Sequence, residues 1–183
     1  DTQLSTLMDM LMDGEIDIMG TMNRNTQLEE FFLYPNYSYG TSYTTLAVLD
    51  DDLRWIEDDC ANWNDIRVAT YPGYESRMKE FRYYAQANRF TYEVVECDSY
   101  DDMAQAVRNG EADAMIQSDL SLVNGFRVIG RFSPAPYYFA VSKDNTDLLQ
   151  QLDSAMPSLN SSQPNLQSEL YDLYFRHTGE FQI

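Results

Sequence analysis

Histidine and cysteine are nearly absent from this sequence, and their scarcity excludes several kinds of site. The only histidine among the 183 residues is His177, in the polar segment Arg176-His177-Thr178. A catalytic triad or a histidine-based metal centre therefore lacks its usual components, and we expect His177 to be a solvated surface residue. Cys60 and Cys97 form no C-x-x-C pair, so zinc and dithiol sites lack their usual spacing. The number of cysteines leaves open whether they are joined, although the expected strand order favours free thiols.

Positive charge is also scarce. Lysine and arginine number 12 against 30 aspartates and glutamates, which gives a formal net charge of −18. Such a surface repels phosphate backbones and anionic lipid headgroups, so we expect neither nucleic acid nor a membrane surface as a partner. The acidic runs Asp50-Asp51-Asp52 and Asp58-Asp59 lack the ligand spacing and glycine of a calcium loop, and they indicate a solvated linker. No metal or cofactor is expected.

Long apolar runs are missing as well. No stretch approaches the ~20 apolar residues of a membrane helix, and no signal-peptide pattern is present. The first residue is Asp1, so we expect a fragment or a processed product. Hydrophobic residues nevertheless make up 44% of the chain and aromatic residues 14%, which is enough to build a packed core.

A repeated phrase is the most informative feature that is present. Residues 11–18, Leu-Met-Asp-Gly-Glu-Ile-Asp-Ile, reappear as residues 107–114, Val-Arg-Asn-Gly-Glu-Ala-Asp-Ala. Each copy follows an amphipathic helical pattern and contains a glycine, Gly14 or Gly110, where the helix should end. A short apolar run follows each glycine, Ile16–Met19 and Ala114–Ile116, and predicts a buried strand. The sequence therefore predicts half of an α/β unit in each of two lobes.

The second copy lies in a longer α/β series. We predict strands at Ile66–Thr70 and Thr91–Glu96, with a helix from about Tyr74 to Ala87 between them. Ser99 and Asp102 have the spacing of a capping box for the next helix. Two further strands are predicted, Phe126–Phe132 and Tyr137–Val141, separated by Ser133-Pro134-Ala135-Pro136. A helix follows at Thr146–Met156 and is expected to end at Pro157. A final helix carries an apolar stripe: Leu166, Leu170, Leu173 and Tyr174.

The order of these motifs resembles the family 3 extracellular solute-binding proteins, which have the type II periplasmic-binding fold. It is most similar to the versions that serve as external sensor domains of bacterial histidine kinases and diguanylate cyclases. The motifs that carry the resemblance span nearly the whole chain, and they are Gly14-Glu15-Ile16-Asp17, Tyr34-Pro35-Asn36-Tyr37 with Tyr39-Gly40, Ile66-Arg67-Val68 with Gly73-Tyr74-Glu75, Asp113-Ala114-Met115-Ile116 with Ser118-Asp119, Tyr138–Lys143, Leu148-Leu149 and Leu170–Phe175.

The resemblance implies a two-lobed α/β fold in which lobe 1 lacks its first strand–helix–strand unit. Lobe 1 would comprise residues 1–49 and 136–183, lobe 2 residues 65–135, and a connector residues 50–64. Amino-acid binders of this family carry a T-x-T-x-x-R pattern whose arginine holds the ligand carboxylate. Here Leu28 occupies the arginine position and Ser118 the position of the acidic residue that meets the ammonium group. We therefore expect a small-molecule ligand that is not a standard α-amino acid.

In such a fold the ligand is expected between the lobes, at strand ends and helix N-termini. The candidate ligand-binding residues are Thr21, Asn23, Tyr37, Tyr39, Tyr71, Gly73, Tyr74, Gln117, Ser118 and Asp119. Gly73 would let an anionic group approach the free amides of the next helix, or it is only a turn glycine. The tyrosines would stack on a ring-bearing ligand or simply pack, and Asp119 would bind a cation or cap a turn.

The resemblance implies an extracytoplasmic ligand-sensing domain of a bacterial membrane signalling protein, reaching the membrane only through its parent chain. Three alternatives stay open: a free solute-binding protein of a transporter, a degenerate module that mediates contacts between proteins, and an enzyme. We do not expect an enzyme, because no acid–base pair, nucleophile or histidine falls in the expected cleft. A homodimer is a further possibility.

Overall fold

The computed structural model describes residues 4–173, with the backbone alone at Tyr171. Tyr174 and His177, for which the sequence makes predictions, lie outside the described residues. The helices are α1 (Leu4–Met12), α2 (Glu75–Asn88), α3 (Tyr100–Arg108), α4 (Thr146–Ser162) and α5 (Leu166–Tyr171). The strands are β1 (Ile18–Met22), β2 (Phe32–Leu33), β3 (Gly40–Leu49), β4 (Ile66–Thr70), β5 (Tyr92–Glu96), β6 (Ala114–Ser118) and β7 (Phe126–Ser142).

The described chain divides into two units. Unit 1 contains residues 4–42 and 135–173, and unit 2 contains residues 43–134. Strands β3 and β7 each contain residues of both units. One copy of the repeated phrase falls in each unit, and Gly14 and Gly110 both have the left-handed backbone that ends a helix, with φ of 71° and 74°. The lobe boundaries proposed from the sequence stay a prediction.

Unit 2 is built on a sheet that is buried on both faces. Strand β4 pairs in parallel with β5 and with β6, and β6 pairs antiparallel with β3. On one face, Val68 and Ile116 pack with Phe81 of α2. On the other face, Ala69 and Met115 pack with Met103 of α3. Adjacent strand residues point to opposite faces, so the central residues of β4 and β6 are apolar on both faces, as a sheet between two helical layers requires, while Arg67 and Gln117 lie nearer the strand ends.

Residues 50–64 pack into unit 2 rather than standing free of it. A 3₁₀-helix spans Cys60–Trp63, and the side chains of Trp55 and Trp63 are buried in the same core as Phe81. The indole N–H of Trp63 donates to the carbonyl of Ile56 at 2.8 Å. Cys60 and Cys97 are free thiols.

Unit 1 is centred on the second half of β7, which pairs antiparallel with β1 and β2. Its core contains Leu11, Met22, Phe32, Tyr34 and Ala140. The sequence predicts a buried strand at Ile16–Met19, and this prediction is wrong in both position and burial. The strand is Ile18–Met22, and of its residues only Met22 is buried.

Two predicted breaks at prolines are also wrong. The strand β7 continues through Pro134 and Pro136, because the φ of proline suits extended backbone and Ser133, with φ 48°, takes up the bend. Helix α4 continues through Pro157 to Ser162, since an internal proline removes a single backbone hydrogen bond and kinks rather than ends a long helix. The N-cap half of the predicted capping box is confirmed, because the Ser99 hydroxyl accepts a hydrogen bond from the backbone N–H of Asp102 at 3.3 Å. The Asp102 carboxylate accepts from the same hydroxyl at 2.6 Å.

Candidate functional site

Six of the ten candidate residues lie at one edge of the unit 2 sheet. Tyr71, Gly73 and Tyr74 follow β4, while Gln117 and Ser118 end β6 and Asp119 comes next. Because β4 and β6 are adjacent and parallel, their carboxyl ends meet at the same edge of the sheet. Ligands of open α/β sheets bind outside these carboxyl ends.

Three tyrosine rings line this edge. The ring centroids of Tyr71 and Tyr74 are 4.7 Å apart, and those of Tyr74 and Tyr100 are 6.2 Å apart. All three side chains are half-buried. Tyr100, which opens α3, was not among the predicted residues. Burial raises the pKa of the Tyr74 and Tyr100 hydroxyls, so both remain neutral hydrogen-bonding groups at physiological pH.

A guanidinium group lies over this aromatic cluster. The Cζ atom of Arg77 is 5.4 Å from the centroid of the Tyr74 ring, a cation–π distance. Its Nη1 donates to the hydroxyl of Thr44 at 3.3 Å. Arg77 and Thr44 are not among the residues predicted from the sequence. The spacing from Tyr74 to Arg77 predicts that these two side chains are neighbours at the start of a helix, but it does not show that the guanidinium is half-buried.

The amides at the N-terminus of α2 are already engaged by a carboxylate of the chain. Both carboxylate oxygens of Glu75 accept from the backbone N–H of Gly73 at 3.1 Å. Hydrogen bonds from the backbone N–H groups of Glu75 and Gly73 lower the pKa of this carboxyl. Gly73 has φ 110°, a conformation that glycine adopts readily. The structure thus places Gly73 in a turn whose amide is bound internally.

The polar residues at the end of β6 are more buried than their types suggest. Gln117 is 0% exposed and Asp119 is 4% exposed. The Oε1 atom of Gln117 accepts from the backbone N–H of Val123 at 3.1 Å and from the Tyr100 hydroxyl at 3.4 Å. An Asp119 oxygen accepts from the backbone N–H of Tyr43 at 2.9 Å. The Ser118 hydroxyl accepts from the backbone N–H of Leu120.

The other four candidate residues belong to unit 1. The Tyr39 hydroxyl accepts from the backbone N–H of Thr21 and lies 3.1 Å from the Thr21 hydroxyl. Its ring stacks on Phe139, with centroids 4.0 Å apart and planes 14° apart. Thr21 is exposed and has φ 58°. Tyr37 is 45% exposed, and the carbonyl of Asn23 accepts from the Tyr34 hydroxyl at 3.0 Å. Among the hydrogen bonds and ring contacts of the described residues, Thr21 and Tyr39 are the only two of these four candidates that contact each other.

The glycine at the start of β3 makes room for the aromatic cluster of unit 1. A Cβ atom at Gly40 would overlap the Tyr137 ring, which itself packs edge-on against Tyr39. We expect Gly40→Ala to lower the free energy of unfolding by about 1–3 kcal/mol, because overpacking displaces the ring. Urea unfolding monitored by circular dichroism measures this. The cost should fall in a Tyr137→Ala background, and equal costs in both backgrounds would contradict the assignment.

Leu28, at which the sequence resemblance predicts the loss of a carboxylate-binding arginine, packs against the unit 1 core. The nearby Arg24 is bound internally: its Nε donates to Glu29 at 2.6 Å and its Nη1 to the carbonyl of Pro35 at 3.3 Å. Its guanidinium also lies 5.6 Å from the Tyr138 ring centroid. Arg24 therefore stabilises unit 1 and is not a substitute for the absent arginine.

Among residues 4–173, no three His, Cys, Asp or Glu side chains converge in a group that could hold a metal ion. Within the same range, no helix has the length and apolar character needed to cross a bilayer.

Comparison with known proteins establishes the class of fold. No family model matches the chain, and no curated protein matches it. The solved structures that it resembles are α/β binding proteins, and the chain has their type II periplasmic-binding-protein fold, so the predicted fold class is confirmed.

Three of these structures show the extent of the likeness. Substrate-binding domain 2 of GlnP from Lactococcus lactis, in an open conformation, matches with a TM-score of 0.73 and 18% identity over 97% of this chain and 77% of that one. A probable amino-acid ABC transporter extracellular-binding protein from Bacillus subtilis matches with a TM-score of 0.68 and 18% identity, over 96% of this chain and 78% of that one. An ancestral cationic amino-acid solute-binding protein matches with a TM-score of 0.63 and 19% identity, over 95% of this chain and 76% of that one.

Proposed function

We propose that the chain is a small-molecule-binding domain that acts outside the cytoplasm as the sensing part of a bacterial membrane signalling protein. The observation that carries the proposal is the cluster of Tyr71, Tyr74, Tyr100 and Arg77 at the carboxyl edge of the unit 2 sheet. This is the edge at which open α/β sheets bind ligands, and the structural neighbours carry names of substrate- and solute-binding proteins.

A binding role is favoured over a catalytic one by the two carboxylates beside the cluster. Glu75 and Asp119 each accept a hydrogen bond from a backbone N–H group. For Glu75, the backbone hydrogen bonds lower the pKa of the carboxyl, which makes it a weak general base near neutral pH. We therefore propose that the domain binds its ligand without transforming it, and that it needs no cofactor.

A standard α-amino acid fits this domain poorly. Leu28 and Ser118 stand where the family's amino-acid binders have the carboxylate-binding arginine and the ammonium-binding acidic residue. Leu28 packs against the core of unit 1, and the Ser118 hydroxyl accepts a backbone N–H. We propose that the ligand belongs to another class of small molecule.

A thermal-shift screen of the 183-residue chain against amino acids, amines, peptides and aromatic acids tests the proposal. A ligand that binds only the folded state should add about 2.7 kcal/mol of stability at 100 times its dissociation constant. We expect Tyr74→Ala to abolish the shift and Tyr83→Ala to preserve it. Tyr83 is a matched control, because it lies on the same helix and is 59% exposed. Uniform silence across the panel would instead favour a degenerate module that only mediates protein contacts.

The alternative role is that of a solute-binding protein that delivers cargo to a transporter. It is favoured by the names of two structural neighbours, one a binding domain of GlnP and one an extracellular-binding protein of an amino-acid ABC transporter. The parent polypeptide distinguishes the two roles. A kinase or cyclase domain beyond a membrane helix supports sensing, whereas a lipoprotein signal without such a domain supports transport.

A further inference from the structure

Arg77 is the arginine that lies at the carboxyl edge of the unit 2 sheet, and no ion pair is described for it. Arg24, Arg54, Arg67 and Arg131 each form an ion pair with an aspartate or glutamate, at nitrogen–oxygen distances of 2.6–3.1 Å. Four other described arginines also lack such a pair, but Arg82 and Arg89 are exposed and Arg108 and Arg127 donate to backbone carbonyls. Arg77 is half-buried, and its described contacts are the Thr44 hydroxyl and the face of the Tyr74 ring, so its guanidinium is available to an external anion at this edge.

The acidic residues of this edge cannot easily take that place. Both oxygens of Glu75 accept from the Gly73 N–H, and Asp119 is 4% exposed with an oxygen on the Tyr43 N–H. Glu75 is exposed to solvent, but both of its oxygens are already on the Gly73 N–H. The case for an anionic ligand therefore rests on the position of Arg77 and not on the net charge of this edge.

The guanidinium retains most of its hydrogen-bonding capacity. An arginine side chain offers five N–H donors in a planar fork, and one of them is used by Thr44. The guanidinium lies over the Tyr74 ring, with Cζ 5.4 Å from its centroid, and this contact uses none of the N–H donors. Two parallel N–H donors match the two oxygens of a carboxylate.

The neighbouring groups suit the body of a flat ligand. Half-buried tyrosine rings at 71, 74 and 100 present apolar faces with polar tips. Beside Tyr100, Gln117 is fully buried, and its Oε1 is fixed as an acceptor by the Val123 N–H. The Nε2 of Gln117 makes no hydrogen bond to the described residues. An unused buried donor of this kind is costly, and an acceptor on a ligand would satisfy it.

We propose that unit 2 binds an aromatic carboxylate, with the carboxylate held by the guanidinium of Arg77 and the ring against Tyr71, Tyr74 and Tyr100. This inference rests on the proposed binding function and adds the chemical class of the ligand. Neutral and cationic relatives of the same ring system would lose the charge-assisted hydrogen bonds and bind more weakly.

Isothermal titration calorimetry on the 183-residue chain tests the inference with benzoate, phenylacetate, 4-hydroxyphenylacetate and indole-3-acetate as probes. Phenylacetamide and 2-phenylethylamine supply the neutral and cationic counterparts. We expect at least one carboxylate to bind about tenfold or more tightly than the amide or the amine, since it alone makes charge-assisted bonds.

Arg77→Gln should weaken the bound carboxylate about tenfold or more and leave the carboxylate and the amide with similar affinities. Arg82→Gln is the matched control, because it makes the same change of charge at an exposed position of the same helix and should leave affinity nearly unchanged. Equal effects of the two substitutions would overturn the inference.

The failures of the two proposals are distinguishable. Binding of amino acids or amines without binding of any aromatic carboxylate would contradict the ligand class and leave the binding function standing. Absence of binding across both the calorimetric probes and the thermal-shift panel would contradict both.

Discussion

Replacing Trp63 with alanine is expected to lower the free energy of unfolding by about 3–5 kcal/mol, the range for a fully buried tryptophan. The indole is 0% exposed and packs edge-on against Phe90 at a centroid distance of 5.4 Å. Gly130 is fitted to it, because a Cβ atom there would lie 2.7 Å from the indole ring. Truncation would therefore open a cavity that the surrounding sheet cannot close.

Equilibrium unfolding in urea, followed by tyrosine and tryptophan fluorescence and by circular dichroism, measures this loss. Leu53→Ala provides the control in the same segment, because Leu53 is 82% exposed and its truncation should change stability by less than about 0.5 kcal/mol. A small effect at both positions would mean that residues 50–64 do not belong to the core of unit 2.

Asp113→Ala is expected to lower the free energy of unfolding by about 2–4 kcal/mol, since removing one partner of a buried ion pair leaves charges uncompensated. Asp113 is 6% exposed. It accepts from Arg67 Nη2 at 2.8 Å, Nε at 2.9 Å and the backbone N–H at 3.0 Å, and from Arg54 Nη2 at 3.1 Å. The effect stays below the upper limit for fully buried pairs because Arg67 is 36% exposed and can be rehydrated. Asp51→Ala, at an exposed aspartate, should be nearly neutral.

The same pair should make stability depend on pH in a defined direction. Burial raises the pKa of Asp113, but the hydrogen bonds and charge of Arg67 lower it by more, so its pKa lies below the usual 3.8. Because the folded-state pKa is the lower one, the contribution of Asp113 is complete at neutral pH and is lost as pH falls through the folded-state pKa. The difference in stability between the wild type and Asp113→Ala should therefore shrink below about pH 4. A difference that stays constant from pH 7 to pH 3 would contradict this assignment.

Features with local causes could be predicted from the sequence. Gly14 and Gly110 end their helices with left-handed backbone, because glycine alone adopts it without strain from a Cβ atom. The strand β4 falls at Ile66–Thr70 as predicted, since a short run rich in β-branched residues and bounded by Asn64 and Pro72 is typical of a strand. The N-cap at Ser99 could be predicted because its hydroxyl needs only the backbone N–H of Asp102, three residues further along the chain, as its donor.

Features decided by tertiary packing could not be predicted in this way. Nothing local shows that β1 lies mostly exposed, or that β7 passes through two prolines, because strand pairing and neighbouring elements decide both. Pro157 lies inside α4 for the same reason: a helix of 17 residues tolerates one missing backbone hydrogen bond.

The candidate site shows the same division. Residues at the ends of β4 and β6 could be found because parallel strands place their carboxyl ends together. Arg77 was missed because a single arginine on an amphipathic helix resembles a solvated residue until its neighbours are known. The full burial of Gln117 was equally invisible, since glutamine is mostly exposed in proteins.

The most direct test of the account is a two-dimensional ¹H–¹⁵N spectrum of the labelled chain, titrated with the compound that gives the largest stabilisation in the thermal-shift screen. If the carboxyl edge of the unit 2 sheet is the binding site, the largest changes should occur at the backbone amides of Tyr71, Gly73, Tyr74 and Arg77 and at the side-chain amide of Gln117. Changes centred on other surfaces, with these five groups unaffected, would contradict the central claim that this edge binds the ligand.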